Sequence, residues 1–331
     1  MEEIHDITII GAGPVGLFTA FYAGMREASV HLIDSMNDVG GQLSALYPEK
    51  YIYDIAGFPK IKAQHLVDQL KEQALTFSPK ITLGESVLDV KKLEDNLFEL
   101  ITEKDRYLTR SIIITAGAGA FQPRKLEVEN AKLYEGKRLH YFIRKLDDFK
   151  GHDVLICGGG DSAVDWALAL EPLANSVTLI HRRDQFRAHE ASLTQLKQSS
   201  VIIKTPFEVN QIIGNDDDIK QVVIKETRGE KSEIIDVNSI IVNFGFITSL
   251  GPLKEWGLDI YRNSISVNQQ METNIPGIYS AGDICIYEGK PKLIATGFGE
   301  ATIAVNQAKL RIDPKARVNV HSTHIFAEAT T

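Results

Sequence analysis

Two short glycine-rich segments of this chain have the residue types and spacing needed to close a backbone around a phosphate. The first, Gly11-Ala-Gly13-Pro14-Val-Gly16, follows a β-branched run over residues 6–10 and precedes an apolar stretch over 17–24 that suits a buried helix. Gly11 permits the tight turn, Gly13 lets the backbone approach a pyrophosphate, and Gly16 lets the helix press on the strand. The start of that helix offers free N–H groups and a partial positive charge to the phosphates. A second strand, over 29–33, ends at Asp34, 23 positions after Gly11, where a carboxylate accepts the hydroxyls of an adenosine ribose.

The second segment, Gly158-Gly-Gly160-Asp161-Ser162-Ala163, repeats the plan, with alanine in the third small position. A strand over 152–157 precedes it, a helix over 165–173 stopping near Pro172 follows, and the next strand covers 176–180. Counting 23 from Gly158 reaches His181 in place of the acid, and Arg182 and Arg183 come next, with Arg187 four residues further on. Guanidinium forks suit a 2′-phosphate that a carboxylate would repel, so this turn is expected to select NADPH over NADH.

Two dinucleotide sites in one chain are read most economically as one bound flavin and one exchangeable nicotinamide. Several features assign FAD to the first turn. Gly40-Gly41-Gln42-Leu43 gives a backbone able to lie against a flat ring with an amide beside it. Far downstream, residues 273–283 read as a short strand ending in Gly282-Asp283, whose carboxylate can bind the hydroxyls of a ribityl chain.

The elements around these turns define the expected architecture. It is an α/β chain of two Rossmann-like, three-layer ββα dinucleotide-binding domains, with the NADPH domain inserted in the FAD domain. The FAD domain takes residues 1–117 and 246–331, with a C-terminal extension from about 312, and the NADPH domain takes 118–245. β-rich stretches at 81–115 and 201–242 accompany the two cores, and Asp216-Asp217-Asp218 reads as a hairpin tip rather than a metal site. Gly117-Ala-Gly119 and Gly245 make short connections suited to a hinge.

Composition bounds the partners. A formal net charge of −8 gives no electrostatic support for nucleic acid. Cys157 and Cys285 are the only cysteines and never form a Cys-x-x-Cys pair, which argues against a disulfide scaffold and a cysteine-rich metal site. The N-terminus is acidic, its apolar run is too short for a secretion signal, and no segment approaches a membrane span of roughly 18 apolar residues. The expected location is cytoplasmic.

The motifs resemble those of the two-dinucleotide-binding-domain flavoproteins, with thioredoxin reductase as the general template for the 158–163 turn and for 181–188. The redox Cys-x-x-Cys that thioredoxin reductases carry shortly before their second turn has no counterpart here, where residues 136–143 read Gly-Lys-Arg-Leu-His-Tyr-Phe-Ile. A narrower resemblance covers essentially the whole chain. Residues 40–59, His189-Glu190, Ser249-Leu-Gly-Pro-Leu253, Trp256-Gly-Leu-Asp259, Gly297-Phe-Gly-Glu-Ala301 and the ending Pro314…His321-Ser322-Thr323 resemble the thioredoxin-reductase-like class of bacterial ferredoxin–NADP⁺ reductases.

That resemblance implies an isoalloxazine ring held between Tyr47 and His321, with Ser322 beside its N5; His324 competes with His321 for the second face. It also implies FAD contacts from Val87, Ala116, Phe121 and Thr323, a homodimer, and ferredoxin or flavodoxin as the one-electron partner. NADPH would deliver a hydride to FAD and electrons would leave singly. Arg138, Arg144, Lys145, Lys309, Arg311, Lys315 and Arg317 are the candidates for a basic acceptor patch on an otherwise acidic chain. Two alternatives remain open at this stage: an NADPH-dependent reductase of a small quinone or flavin, and a non-catalytic flavin redox sensor.

Overall fold

The computed structural model describes residues 3–215 and 217–317, with the side chains of 120–122 left out of the description. The chain divides into two compact units, one of residues 1–121 and 248–331, the other of 122–247.

The first unit is built on a seven-stranded sheet. Its parallel part runs in the order Lys80–Leu83, Val30–Asp34, Ile4–Ile10, Arg106–Ile114, with Ile278–Ser280 beside the end of the last. Ile7, Ile9, Leu32, Ile33 and Ile112 to Ile114 are all fully buried. Both faces are packed, by the helices on one side and by Leu250, Leu253 and Trp256 on the other, so these strands read as continuous apolar runs rather than alternating ones. Each such side chain contributes about 1.5–3 kcal/mol of burial. The antiparallel strands Val87–Glu94 and Leu97–Thr102 extend the sheet through the first half of Arg106–Ile114. Helices Pro14–Met25, Ala63–Leu75 and Ile294–Ile312 pack together, their small residues Ala20, Ala23, Ala63, Ala304 and Ala308 lying in one core. Because all five parallel strands point the same way, Gly11, Asp34, Thr115 and Ala281 gather at one end of the sheet.

The second unit repeats the arrangement with five parallel strands, in the order Leu139–His140, Ser239–Asn243, Asp153–Gly158, Ser176–Ile180, Ile202–Lys204. The helix after its glycine turn spans Asp161–Leu170, starting earlier than the expected 165 because Gly160 itself serves as the N-cap. It ends two residues before Pro172, as the missing N–H of proline requires. A three-stranded antiparallel sheet, Phe207–Gly214, Ile219–Glu226 and Ser232–Asp236, lies alongside. Asp217 and Asp218 sit at the turn between its first two strands, where Lys137 and Arg138 pair with them at 2.9 and 2.7 Å.

Buried polar groups interrupt the apolar strands of the first unit, among them His5, Thr8, Thr109 and His31. His31 is fully buried, its ring 5.0 Å from that of His5 and edge-on to Tyr107, with Nε2 2.9 Å from the Thr82 hydroxyl. Burial, reinforced by His5 and Lys80, lowers its pKa to about 3. A base whose folded pKa lies below its unfolded value of about 6.5 contributes stability that is present above 6.5 and lost as pH falls towards 3. Between pH 7 and pH 5 the wild type is expected to lose roughly 2 kcal/mol through this group. Urea unfolding at both pH values checks this: His31→Leu should lose less stability than the wild type, and an equal loss in both contradicts it.

Candidate functional site

At the carboxyl end of the first sheet lies a cavity of about 420 Å³. The glycine turn forms its floor. Gly11 adopts φ +111°, and a Cβ there would stand 2.6 Å from the Thr115 carbonyl oxygen. A Cβ on Gly16 would fall 1.8 Å from the Gly11 carbonyl oxygen, so helix and strand touch backbone to backbone. Gly13 differs: nothing lies within 4 Å of its missing Cβ, and it lines the cavity. The helix that follows begins at Pro14 with no side-chain cap and no acidic residue in its first turn. Its leading N–H groups therefore have no intrahelical partner and suit an anion.

Asp34 stands at the end of the neighbouring strand. Its carboxylate accepts the Ala12 N–H at 2.5 Å and the Met36 N–H at 2.8 Å. Burial raises its pKa, while those two backbone hydrogen bonds oppose the shift. Tyr47 lines the same cavity; burial, then the Asp283 and Asp54 carboxylates, push its phenol up. Tyr47 thus presents a neutral ring at neutral pH. Gly41, at φ +55°, comes within 3.2 Å of the Gly13 Cα through the position of its missing Cβ, bringing the 40–43 segment directly onto the phosphate turn.

Of the residues expected at the flavin, Gly11, Gly13, Pro14, Asp34, Gly41, Gln42, Leu43, Tyr47, Val87, Ala116 and Asp283 all line this cavity. Gly16 lies behind it, against Gly11. Phe121 belongs to the strand Ala120–Pro123, but its side chain is outside the described residues, as are His321, Ser322, Thr323 and His324 altogether. Sequence reasoning missed the Leu250, Pro252, Leu253 and Trp256 wall. Trp256 donates its indole N–H to the Leu88 carbonyl at 3.1 Å, which fixes it beside Val87. The motifs at 249–253 and 256–259 were the available signal, without a role attached.

The second unit carries the matching turn. A Cβ on Gly158 would meet the Asn243 carbonyl oxygen at 2.7 Å, whereas Gly160, like Gly13, faces open space. Ala163 is fully buried where Gly16 stands in the first unit. Asp161 begins the helix and accepts the His189 N–H at 2.8 Å; Ser162 is exposed beside it. The His181 ring lies over Gly159, 2.3 Å from where a Cβ would stand, which explains glycine at that position. Burial, aided by Arg182 and Arg183, lowers the His181 pKa, so the ring is neutral, and its Nε2 is buried without a partner among the described residues. Arg182, Arg183 and Arg187 are exposed, and the Arg187 N–H donates to the Gly159 carbonyl at 2.6 Å, tying the arginine loop to the glycine turn.

Neither cysteine is reactive in this setting. Burial raises the Cys157 thiol well beyond its ordinary range and pushes Cys285 up to about 12, the nearby Glu300 adding to the latter. The expected basic patch is partly engaged elsewhere: Arg138 pairs with Asp218, Lys309 donates to the Glu27 carbonyl and Arg311 to the Asp95 carbonyl. Arg144, Lys145, Lys315 and Arg317 are exposed. No helix among the described residues is long and apolar enough to cross a membrane.

A paired set of glycine turns on parallel sheets, one acid-ended and one arginine-ended, defines a two-dinucleotide oxidoreductase. Residues 5–308 match the family described as pyridine nucleotide-disulphide oxidoreductase, and the chain belongs to it. The family uses FAD and NADP(H). A protein of Halalkalibacterium halodurans named ferredoxin–NADP reductase is 62% identical over 98% of this chain and 99% of its own. A protein of the same name from Geobacillus kaustophilus is 59% identical, over 98% of each chain. Among solved structures, thioredoxin reductase of Lactococcus lactis is similar, with a TM-score of 0.76 and 27% identity over 93% of this chain and 99% of that one.

The two glycines of the first turn should respond differently to alanine. Gly13→Ala has a standard backbone conformation and open space, so the flavin-free protein keeps its thermal midpoint while flavin retention falls. Gly16→Ala must push helix from strand, at a cost of roughly 3 kcal/mol, the upper end for overpacking. Thermal melts with flavin quantitation separate the two, and equal melting of both variants contradicts the assignment.

Proposed function

We propose that this chain is a ferredoxin–NADP⁺ reductase: an FAD enzyme that exchanges two electrons with NADPH and single electrons with ferredoxin or flavodoxin. The observation that carries the reading is the pairing of an acid-ended turn with a His181-Arg182-Arg183 turn, in a chain with no cysteine pair to pass electrons to a disulfide. Near-full-length likeness to proteins named ferredoxin–NADP reductase supports the choice of acceptor.

The residues of the first cavity fit FAD. The first-turn N–H groups of Pro14–Met25 hold the pyrophosphate, with Gly13 leaving room for it. Asp34 accepts the ribose hydroxyls and Asp283 those of the ribityl chain. Tyr47 offers a neutral aromatic face to the ring, and His321 with Ser322 closes the other side. Bound there, FAD supplies the step between two-electron and one-electron carriers, and the protein supplies binding and orientation. In the second unit, Gly160, Asp161, Ser162 and Ala163 present the helix start to the nicotinamide dinucleotide. Arg182 and Arg183 bind its 2′-phosphate, Arg187 supports them, and the neutral His181 packs the turn from beneath. The domain roles follow: residues 1–117 and 246–331 for FAD, 118–245 for NADPH. A homodimer, which the family resemblance supports, and a cytoplasmic location complete the reading.

A steady-state assay tests this function, with NADPH or NADH as donor and ferredoxin plus cytochrome c as acceptor. The expected result is a strong NADPH preference and dependence on ferredoxin. Fast oxidation with small quinones and none through ferredoxin would make the chain a small-acceptor reductase instead, and negligible turnover with either would make it a flavin sensor. Each guanidinium–phosphate contact is a charge-assisted hydrogen bond. Arg182→Ala or Arg183→Ala should therefore raise KM for NADPH by about tenfold to a hundredfold, leaving NADH turnover unchanged. An equal effect on both donors would contradict the arginine assignment.

A further inference from the structure

Behind the first cavity lies a buried ion pair that the reaction itself does not call for. Lys290 and Glu300 are each 3% exposed and bonded to one another. Around them converge the two polar groups of a single residue. The Gly282 N–H donates to Glu300 Oε2 at 2.7 Å, and Lys290 Nζ donates to the Gly282 carbonyl at 2.9 Å. The Tyr287 hydroxyl donates to Glu300 Oε1 at 2.7 Å, and the Cys285 sulfur lies 3.1 Å from Lys290 Nζ.

The backbone explains why a side-chain acceptor is needed there. After Ile278–Ser280 the chain leaves the sheet and Gly282 turns at φ +82°; its carbonyl accepts the Cys285 N–H at 3.1 Å across the turn, and its N–H is left to a side chain. Buried peptide groups must be satisfied somewhere. The helix Ile294–Ile312 supplies one solution through the Gly297…Glu300 spacing. Gly297 allows contact with the turn, since its missing Cβ would stand 3.3 Å from Gly282 Cα and 2.4 Å from Val15 Cγ2. Glu300, three residues on and on the same helix face, then reaches the Gly282 N–H. The next residue in the turn, Asp283, lines the cavity. A buried ion pair adds little to stability compared with apolar side chains of similar size, because desolvation offsets the attraction. Its worth here is geometric: opposite charges grip the N–H and the C=O of the same glycine, which fixes where the next side chain points.

We propose that Lys290 and Glu300 are positioning residues for the flavin site, acting through Gly282 to hold Asp283 against the bound cofactor. The proposal rests on the FAD reading of this cavity. It is distinct from any role in chemistry, since neither side chain lines the cavity.

The test is the rate at which FAD leaves the holoprotein on dilution, read by flavin fluorescence, in Lys290→Met/Glu300→Gln. Both charges are removed together, so no unpaired buried charge remains. The variant should release FAD about tenfold faster, a typical coupling for residues in direct contact, and the visible circular dichroism of the bound flavin should change. In an Asp283→Ala background the same two substitutions should add nothing, because the group they position is gone. Release within about twofold of wild type, or losses that multiply independently of Asp283, would overturn the proposal. Should the double variant fail to fold, Tyr287→Phe removes one hydrogen bond from Glu300 and keeps both charges. Faster release with an unchanged melt supports the proposal, and unchanged release overturns it. A wild-type chain that takes up no FAD at all overturns the proposal and the cofactor reading together.

Discussion

A helix that starts within four residues of a strand end can pack only if backbone meets backbone, and this chain meets that condition twice. In the first unit the space for a Cβ on Gly16 is already filled by the Gly11 carbonyl. In the second, Gly158 abuts Asn243 and the residue facing it is no larger than Ala163. The close approach aims each helix start outward from the sheet, with its first N–H groups unpaired. Everything proposed about dinucleotide binding depends on that one steric constraint, because the same contact that excludes side chains at Gly16 leaves open space at Gly13 and Gly160.

In the proposed reading, specificity comes from what the next strand delivers at its end. Parallel register carries Val30–Asp34 beside Ile4–Ile10, placing Asp34 level with the first turn. The equivalent pairing of Asp153–Gly158 with Ser176–Ile180 brings His181 over Gly159 and the arginines just beyond. Matching strand–turn–helix segments thus offer a carboxylate in one unit and cations in the other. The difference is electrostatic rather than architectural, which is why fold likeness to thioredoxin reductases leaves the electron acceptor unassigned.

The two turns and the strands around them were legible in the sequence because each rests on local rules: glycine spacing, β-branched runs and a fixed count to the strand end. The helix after the second turn was placed four residues late, since the apolar pattern begins inside the helix while its true start is polar Asp161. Tertiary partners were not legible. Nothing local to Trp256 says that it walls the cavity, and nothing local to Glu300 says that it accepts a hydrogen bond from Gly282 eighteen residues earlier. Such contacts are made by side chains reaching across elements, and no periodicity encodes them. The C-terminal residues His321, Ser322 and Thr323 rest on family resemblance alone, because they lie outside the described residues.

The central claim is that a flavin in the first unit is reduced by a nicotinamide dinucleotide selected in the second and is reoxidised by a one-electron protein. The most direct measurement is a single-turnover experiment without oxygen, mixing the yellow protein with NADPH or NADH and then with oxidised ferredoxin. The account predicts rapid bleaching by NADPH, far slower bleaching by NADH, and prompt return of colour on adding ferredoxin. Equal bleaching by the two donors, or a reduced protein that ferredoxin leaves colourless, would contradict it.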